Sequence, residues 1–246
     1  MFVDDESVLS RVVPGPDRVV SYGASPDQIA DVRFGSEGAG HRPLVVVIHG
    51  GFWRPAYDRV HTGPMAIAIA AAGWTVASLE YRRHPGDPDA MLADIAASVA
   101  KLPALISRHN GSVLLVGHSA GGHLALWAAA RLDDAGLRGS VALAPVADLQ
   151  RADALHLSND AVRAFLGADP VMRVDVDPAR MSAPRVPVTI IQGLQDDTVP
   201  VSVTEAYAER HPKVRVVRLE QCGHYALIDP LSVHWGRVVE EIRRIG

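Results

Sequence analysis

The stretch from Val113 to Ala130, VLLVGHSAGGHLALWAAA, constrains the fold more than any other part of the chain. Val113 to Val116 is a short apolar run of strand length. Gly117-His118-Ser119-Ala120-Gly121-Gly122 follows at once and leads into an alanine- and leucine-rich segment of strong helix formers. Strand, tight turn and helix in that order, with Gly-x-Ser-x-Gly at the junction, is the layout of a nucleophile elbow, in which a serine sits on a strained turn with its hydroxyl exposed above a parallel sheet. The glycines have a steric reason: side chains two residues before and after the serine would collide with the adjoining strand and helix. Gly-x-Ser-x-Gly alone is common, and its place between a buried strand and a helix is what makes it specific.

The rest of the chain repeats that alternation. Asp17 to Tyr22 and Ile29 to Phe34 read as two antiparallel edge strands joined by the turn-rich Gly23-Ala24-Ser25-Pro26-Asp27. Pro43 to Ile48 is continuously apolar, as expected of a central strand buried on both faces. A helix is expected from Thr62 to Ala72 with Gly73 closing it, then a strand from Trp74 to Glu80. A second helix spans Asp89 to about Arg108, with Pro103 as a kink or break. After the elbow helix come a strand at Gly139 to Ala144, a strand at Pro187 to Gly193, a helix from Val201 to about Arg210 and a strand at Lys213 to Leu219. Asp229-Pro230 reads as the start of a last amphipathic helix reaching Ile245. Strands alternating with helices predict a mostly parallel sheet covered on both faces, with any site beyond the carboxyl ends of its strands. Residues 146–185 break the pattern with polar, proline-bearing sequence, including a short helix at Asp160 to Leu166, and read as an inserted cap over that site. The expectation is a single domain over residues 1–246.

Composition narrows the partners. The net charge of -4 carries no basic footprint for nucleic acid. No apolar stretch is long enough for a membrane span, and the acidic start MFVDDESVLS lacks the features of a secretion signal, so a cytoplasmic protein is expected. The single cysteine, Cys222, excludes an internal disulfide. The histidines have no clustered spacing with cysteines or carboxylates, so no metal and no other cofactor is expected. An exposed edge strand or the last helix could pair two copies into a homodimer.

A serine hydroxyl needs a base to take its proton during attack. Of eleven histidines, His41, His61, His84, His109, His156, His211 and His234 fall in loops or on helix faces and read as solvated. His118 lies within the elbow, directed away from the serine hydroxyl, and His123 lies on the elbow helix. His224 follows the last strand, on the same carboxyl edge as Ser119, and is the best candidate. The base needs a carboxylate to hold its tautomer. Gly193-Leu194-Gln195-Asp196-Asp197-Thr198-Val199-Pro200 follows the preceding strand, and Asp196 and Asp197 compete for that role. At the end of the first central strand, His49-Gly50-Gly51-Phe52-Trp53 is a glycine turn able to present N–H groups to a ligand, where an oxyanion hole would be built.

Taken together, Gly117-His118-Ser119-Ala120-Gly121-Gly122, Gly193-x-x-Asp196-x-x-Val199-Pro200 and Gly223-His224 resemble the α/β-hydrolase superfamily, in the right order over nearly the whole chain. The resemblance implies that fold, with a small cap, and makes Asp196 the acid of a Ser119–His224–Asp196 triad. His49-Gly50-Gly51-Phe52-Trp53 is similar to the His-Gly-Gly-aromatic-Trp loop of kynurenine formamidases (arylformamidases), relatives of the hormone-sensitive-lipase-like esterases. This implies oxyanion donors at the backbone N–H groups of Gly51, Phe52 and Ala120, and a small acyl amide or ester as substrate. Trp53, Tyr57 and Tyr225 lie in sequence beside the site loops, where an aromatic substrate could stack. Arg54, Arg82 and Arg83 could hold a substrate carboxylate. A general short-chain carboxylesterase and a non-catalytic binding protein of the same fold are the rival expectations.

Overall fold

Apolar strands in the middle of the chain need cover on both faces, and the architecture supplies it. The computed structural model describes residues 4–133 and 135–246. Among these, eight strands form one sheet: β1 (Arg18–Ser21), β2 (Ile29–Arg33), β3 (Leu44–Ile48), β4 (Val76–Leu79), β5 (Val113–His118), β6 (Leu137–Leu143), β7 (Val188–Gly193) and β8 (Arg215–Leu219). Their order is β1-β2-β4-β3-β5-β6-β7-β8. The β1/β2 and β2/β4 pairs are antiparallel, and all others are parallel. Only β1 of the expected pair of edge strands lies at the edge. Ala30 and Val32 of β2 are fully buried, and its other side pairs with β4.

Among the described residues, seven helices connect and cover the sheet: α1 (Gly63–Ala71), α2 (Pro88–Leu105), α3 (Ala120–Arg131), α4 (Leu149–Ala154), α5 (Leu157–Leu166), α6 (Val201–Arg210) and α7 (Trp235–Ile245). Strand β3 shows how the two faces are shared. Leu44, Val46 and Ile48 pack with Met91, Ile95 and Leu124 of α2 and α3. Val45 and Val47 pack on the opposite side with Met65 and Ile69 of α1 and Val238 and Ile242 of α7. Alternate residues of a strand point to opposite faces, so an uninterrupted apolar run is what a doubly covered strand requires.

Two helix boundaries differ from the sequence expectation. Pro103 does not break α2, which continues to Leu105 and closes with the Ile106 N–H on the Leu102 carbonyl. One hydrogen bond forgone in the last turn is small beside the burial of Met91, Ile95, Val99 and Leu102 along the same helix. At the other end of the chain, Asp229-Pro230 does not start a helix. The Asp229 carboxylate accepts from the Leu231 N–H at 2.8 Å and binds Arg11, so it closes a turn, and α7 begins only at Trp235.

Residues 146–185 hold α4, α5 and two short 3-10 turns at Pro170–Met172 and Pro178–Arg180. Val146, Leu149, Phe165 and Val176 join the core on the α2 and α3 side. The entry to α5 is irregular: Ser158, Asn159 and Asp160 have φ of 49°, 54° and 55°, and regular helix starts beyond them. Among the described residues, no helix is long and apolar enough to cross a membrane.

Candidate active site

Ser119 connects β5 to α3 with φ 56° and ψ -118°, a conformation that strains a residue bearing a side chain. The surrounding backbone holds it there. Its N–H donates to the Leu143 carbonyl at 2.9 Å, and its own carbonyl accepts from His123 at 3.1 Å and Val146 at 3.2 Å. The two flanking glycines are required by space. A Cβ on Gly117 would lie 2.1 Å from the Gly121 oxygen, and one on Gly121 would lie 2.1 Å from the Ile48 oxygen. The turn expected from sequence is therefore forced by close backbone approach on both sides of the serine.

His224 and Asp196 come from the loops after β8 and β7, on the same edge of the sheet. Nδ1 of His224 lies 2.7 Å from Oδ2 of Asp196, and both side chains are buried. Oδ1 of Asp196 accepts the N–H groups of Thr198 at 2.9 Å and Val199 at 2.7 Å, while Oδ2 also accepts from Gln192 Nε2 at 3.2 Å. The Gln192 amide is itself fixed, by the Val199 carbonyl and the Thr204 hydroxyl. An ionised carboxylate only accepts, so Nδ1 of His224 carries the proton and Nε2 is left as an acceptor. Asp197, the competing carboxylate, points to solvent at the rim of the cavity. Ser119 and His224 both line a cavity of about 490 Å³. The Ser119 hydroxyl makes no hydrogen bond among the described residues; hydrogen bonds of a hydroxyl nucleophile to its base are often long until substrate is bound.

The glycine loop after β3 adopts an unusual backbone. Gly51, Phe52 and Trp53 are consecutive residues with φ of 103°, 47° and 57°. The Gly51 carbonyl accepts from Arg54, and the N–H groups of Gly51 and Phe52 meet no acceptor among the described residues. Gly51 and Phe52 line the cavity beside Ser119, and Ala120 begins α3 directly after it. Left-handed geometry at two residues with side chains costs about 1–3 kcal/mol each and needs support. Trp53 gives it. Its ring stacks on Phe165 at 4.3 Å, and its Nε1–H donates to His123 Nδ1 at 3.2 Å. An indole N–H only donates, so His123 carries its proton on Nε2, which donates to the Val176 carbonyl at 2.9 Å. Burial pushes the His123 pKa down to about 4, in agreement with a neutral ring. His123 thereby ties the glycine loop, the elbow helix and the 146–185 segment together.

Trp53 is consequently not a wall of the cavity, contrary to the sequence expectation; its ring is drawn into the core by Phe165 and His123. Tyr57 and Tyr225 do line the cavity. The three arginines expected to await a substrate carboxylate are already engaged. Arg82 chelates the fully buried Asp94 through Nε at 2.9 Å and Nη2 at 2.6 Å. Arg83 binds Glu80, the Tyr81 carbonyl and His49, and Arg54 donates to the Ser158 carbonyl.

Two of the histidines expected to be solvated, His211 and His61, are not. His211 is buried, with Nε2 on the Pro178 carbonyl at 3.1 Å. His61 lines the cavity and packs edge-on against His49, and burial lowers its pKa to about 4. His118 is in contact with the candidate base: its ring lies 4.5 Å from that of His224, and its Nε2–H donates to the His224 carbonyl at 3.1 Å. Two further walls of the cavity, Glu6 with Leu9 and Leu155 with Leu157, were not singled out by residue, although the second pair falls within the 146–185 segment expected to cap the site. Neither stretch carries a motif, and only the folded chain brings them to Ser119. Among the described residues there is no group of three or more His, Cys, Asp or Glu side chains arranged to hold a metal ion.

A family model described as BD-FAE matches residues 30–210. The kynurenine formamidase of Danio rerio is 34% identical over 107 residues, which is 43% of this chain and 36% of that protein. Esterase LipC of Mycobacterium tuberculosis is 25% identical over 236 residues, 85% of this chain and 58% of that protein. The chain thus spans little more than a third of the one relative and less than two thirds of the other. Among solved structures, Thermogutta terrifontis esterase 2 superposes with a TM-score of 0.74 at 20% identity, covering 96% of this chain and 95% of its own. An esterase B from Lactobacillus rhamnosis gives 0.77 at 21% identity over 94% and 86%. Those likenesses establish the α/β-hydrolase fold.

Proposed function

The chain belongs to the BD-FAE family of α/β-hydrolases, and from that premise we propose that it is a serine hydrolase cleaving a small acyl amide or ester through an acyl-enzyme. The observation that carries this reading is the 2.7 Å contact between Asp196 and Nδ1 of His224 beside a serine on a strained turn in the same cavity. Nε2 of His224 takes the Ser119 proton as the hydroxyl oxygen bonds to the acyl carbon. The carbonyl electron pair moves onto oxygen, where the N–H groups of Gly51, Phe52 and Ala120 receive it. Collapse of this tetrahedral species breaks the bond to the leaving amine or alcohol, which takes the proton from His224. Water then repeats the sequence and frees the acid. Asp196 holds the imidazole in the tautomer that makes both proton transfers work. Each oxyanion donor contributes about a hundred- to a thousandfold in turnover. Residues 146–185 act as the cap, with Leu155 and Leu157 forming one side of the cavity.

For the acyl compound, a formyl amide of the kynurenine type is the first proposal, supported by similarity to the formamidase of Danio rerio and by the His49-Gly50-Gly51-Phe52-Trp53 loop. That reading would place the protein in tryptophan breakdown. Esterase LipC, which the match follows over 85% of this chain, supports a second reading as a general short-chain carboxylesterase. The engagement of Arg82 and Arg83 with acidic partners favours the second, because it leaves those cations unavailable to an amino-acid carboxylate. Two measurements test the proposal. A fluorophosphonate should label the wild-type protein and not a folded Ser119→Ala variant; equal labelling of both sinks the serine mechanism. N-formylkynurenine is then compared with p-nitrophenyl acetate, and a kcat/KM far higher for the ester removes the formamidase reading while leaving the hydrolase.

A further inference from the structure

The segment from Asp4 to Arg11, which precedes β1, is fastened at two points to the chain between β8 and α7. At one point Oδ2 of Asp4 accepts the backbone N–H of His224 at 2.5 Å and that of Tyr225 at 3.2 Å. At the other, Arg11 pairs with both oxygens of Asp229, at 2.5 Å and 2.9 Å. Between the anchors, Val8 is fully buried in the core and Glu6 and Leu9 line the cavity that holds Ser119.

The residue before His224 reports the same contact independently. A Cβ built on Gly223 would meet nothing nearer than Asp4, with Oδ1 at 2.3 Å, Cγ at 2.4 Å and Oδ2 at 2.7 Å. Gly223 has no left-handed φ that would call for glycine, so the room it leaves is taken by the Asp4 carboxylate. His224 is therefore held from two sides, its ring by Asp196 and its backbone by a side chain 220 residues away in sequence.

We propose that Asp4 is a positioning residue of the active site, its carboxylate holding the His224–Tyr225 backbone so that the imidazole stays in line between Asp196 and Ser119. This rests on the triad reading above. Asp4 touches neither substrate nor the reacting atoms, and it acts only through where it puts the base. Small displacements of a base are felt in the transition state far more than in substrate binding.

The test measures kcat and KM with p-nitrophenyl acetate, the rate of fluorophosphonate labelling of Ser119, and the melting temperature. Asp4→Ala is expected to lower kcat and the labelling rate by about tenfold, with KM within about threefold of wild type. Asp4→Asn should recover most of the loss, since its carbonyl oxygen can accept both N–H groups. Gly223→Ala should evict the carboxylate and match the loss of Asp4→Ala, yet cost nothing further in the Asp4→Ala background. Arg11→Ala, which frees the other anchor, should raise KM and leave kcat. If Asp4→Ala does not fold, Asp4→Glu carries the test, because one extra methylene displaces the acceptor while keeping the charge. A folded Asp4→Ala or Asp4→Glu with wild-type kcat overturns the proposal. Additive losses from Gly223→Ala and Asp4→Ala, or an equal kcat loss in Arg11→Ala, do so as well. Ser119→Ala is run alongside: turnover lost there while Asp4→Ala keeps its kcat overturns the positioning role alone, and turnover kept there overturns the triad reading with it.

Discussion

Replacing Asp196 by Asn puts the proposed chemistry under the sharpest strain. Four donors converge on this one carboxylate: the N–H groups of Thr198 and Val199, Gln192 Nε2 and His224 Nδ1. An amide brings one acceptor oxygen and one NH2 group in place of two acceptors. With its oxygen toward Thr198 and Val199, the NH2 group faces His224 and drives the imidazole to the tautomer with its proton on Nε2, which cannot take the serine proton. With its oxygen toward His224, the NH2 group opposes two buried backbone donors, at about 1–3 kcal/mol for each donor left unsatisfied. The first arrangement loses the tautomer and opposes one buried donor, Gln192 Nε2, at about 1–3 kcal/mol. The second keeps the tautomer but opposes two, so the first is the one expected. The expected outcome is a fall in kcat of about 10⁴-fold, the size of tautomer loss in serine-protease triads, with a melting temperature lower by roughly 2–12 °C. Steady-state hydrolysis of p-nitrophenyl acetate and a thermal melt on the same preparation measure both. A folded Asp196→Asn with kcat within tenfold of wild type would refute the reasoning. So would an Asp197→Asn variant that loses kcat as severely, since Asp197 is exposed and makes no contact with the imidazole.

Three further outcomes follow from the geometry. Gly121→Ala sets a Cβ 2.1 Å and 2.5 Å from the backbone oxygens of Ile48 and His49, atoms that cannot turn aside, so it should lower the melting temperature by more than about 10 °C or prevent soluble expression. Arg82→Ala leaves the buried Asp94 without its ion-pair partner and should cost about 3 kcal/mol or more in a urea titration, with KM unaltered; a raised KM at full stability would return Arg82 to substrate binding. Stability should also fall on acidification. Burial lowers His49 to about 3 and His61 and His123 to about 4, so the unfolded chain takes up protons at these sites below pH 6.5 while the folded chain does not. The stability they contribute is complete above pH 6.5 and is lost toward pH 4, at about 1.4 kcal/mol per pH unit for each group. Urea midpoints at pH 7, 6 and 5 check this, and a flat profile contradicts it.

What could be read from the sequence alone shares one physical property: its cause lies in neighbouring residues. The uninterrupted apolar run of β3 announces a strand covered on both faces, because alternate residues must each find a core. The elbow is legible because Gly117 and Gly121 are needed within four residues of one another, and the family motifs placed Asp196 and His224 in order after it. Local signals also misled where a distant partner competed. Asp229 has the form of a helix start and closes a turn bound to Arg11, and Trp53 has the form of a pocket aromatic and turns inward to Phe165 and His123. The residues of the 193–200 loop alone left Asp196 and Asp197 open, since two adjacent side chains in one turn point in different directions and only the position of His224 distinguishes them. Arg82 and Arg83 found buried carboxylates that no spacing rule connects to them, apart from a short approach to Glu80. Asp4 is the extreme case: an ordinary acidic residue near the start of the chain becomes part of the His224 turn only when the fold closes a loop of 220 residues. Sequence thus determined the sheet, the strained serine and the order of its partners, each set by period and steric room. Tertiary structure decided which side chains meet, because contacts across such separations depend on where the whole chain has been folded and leave no trace in the residues on either side.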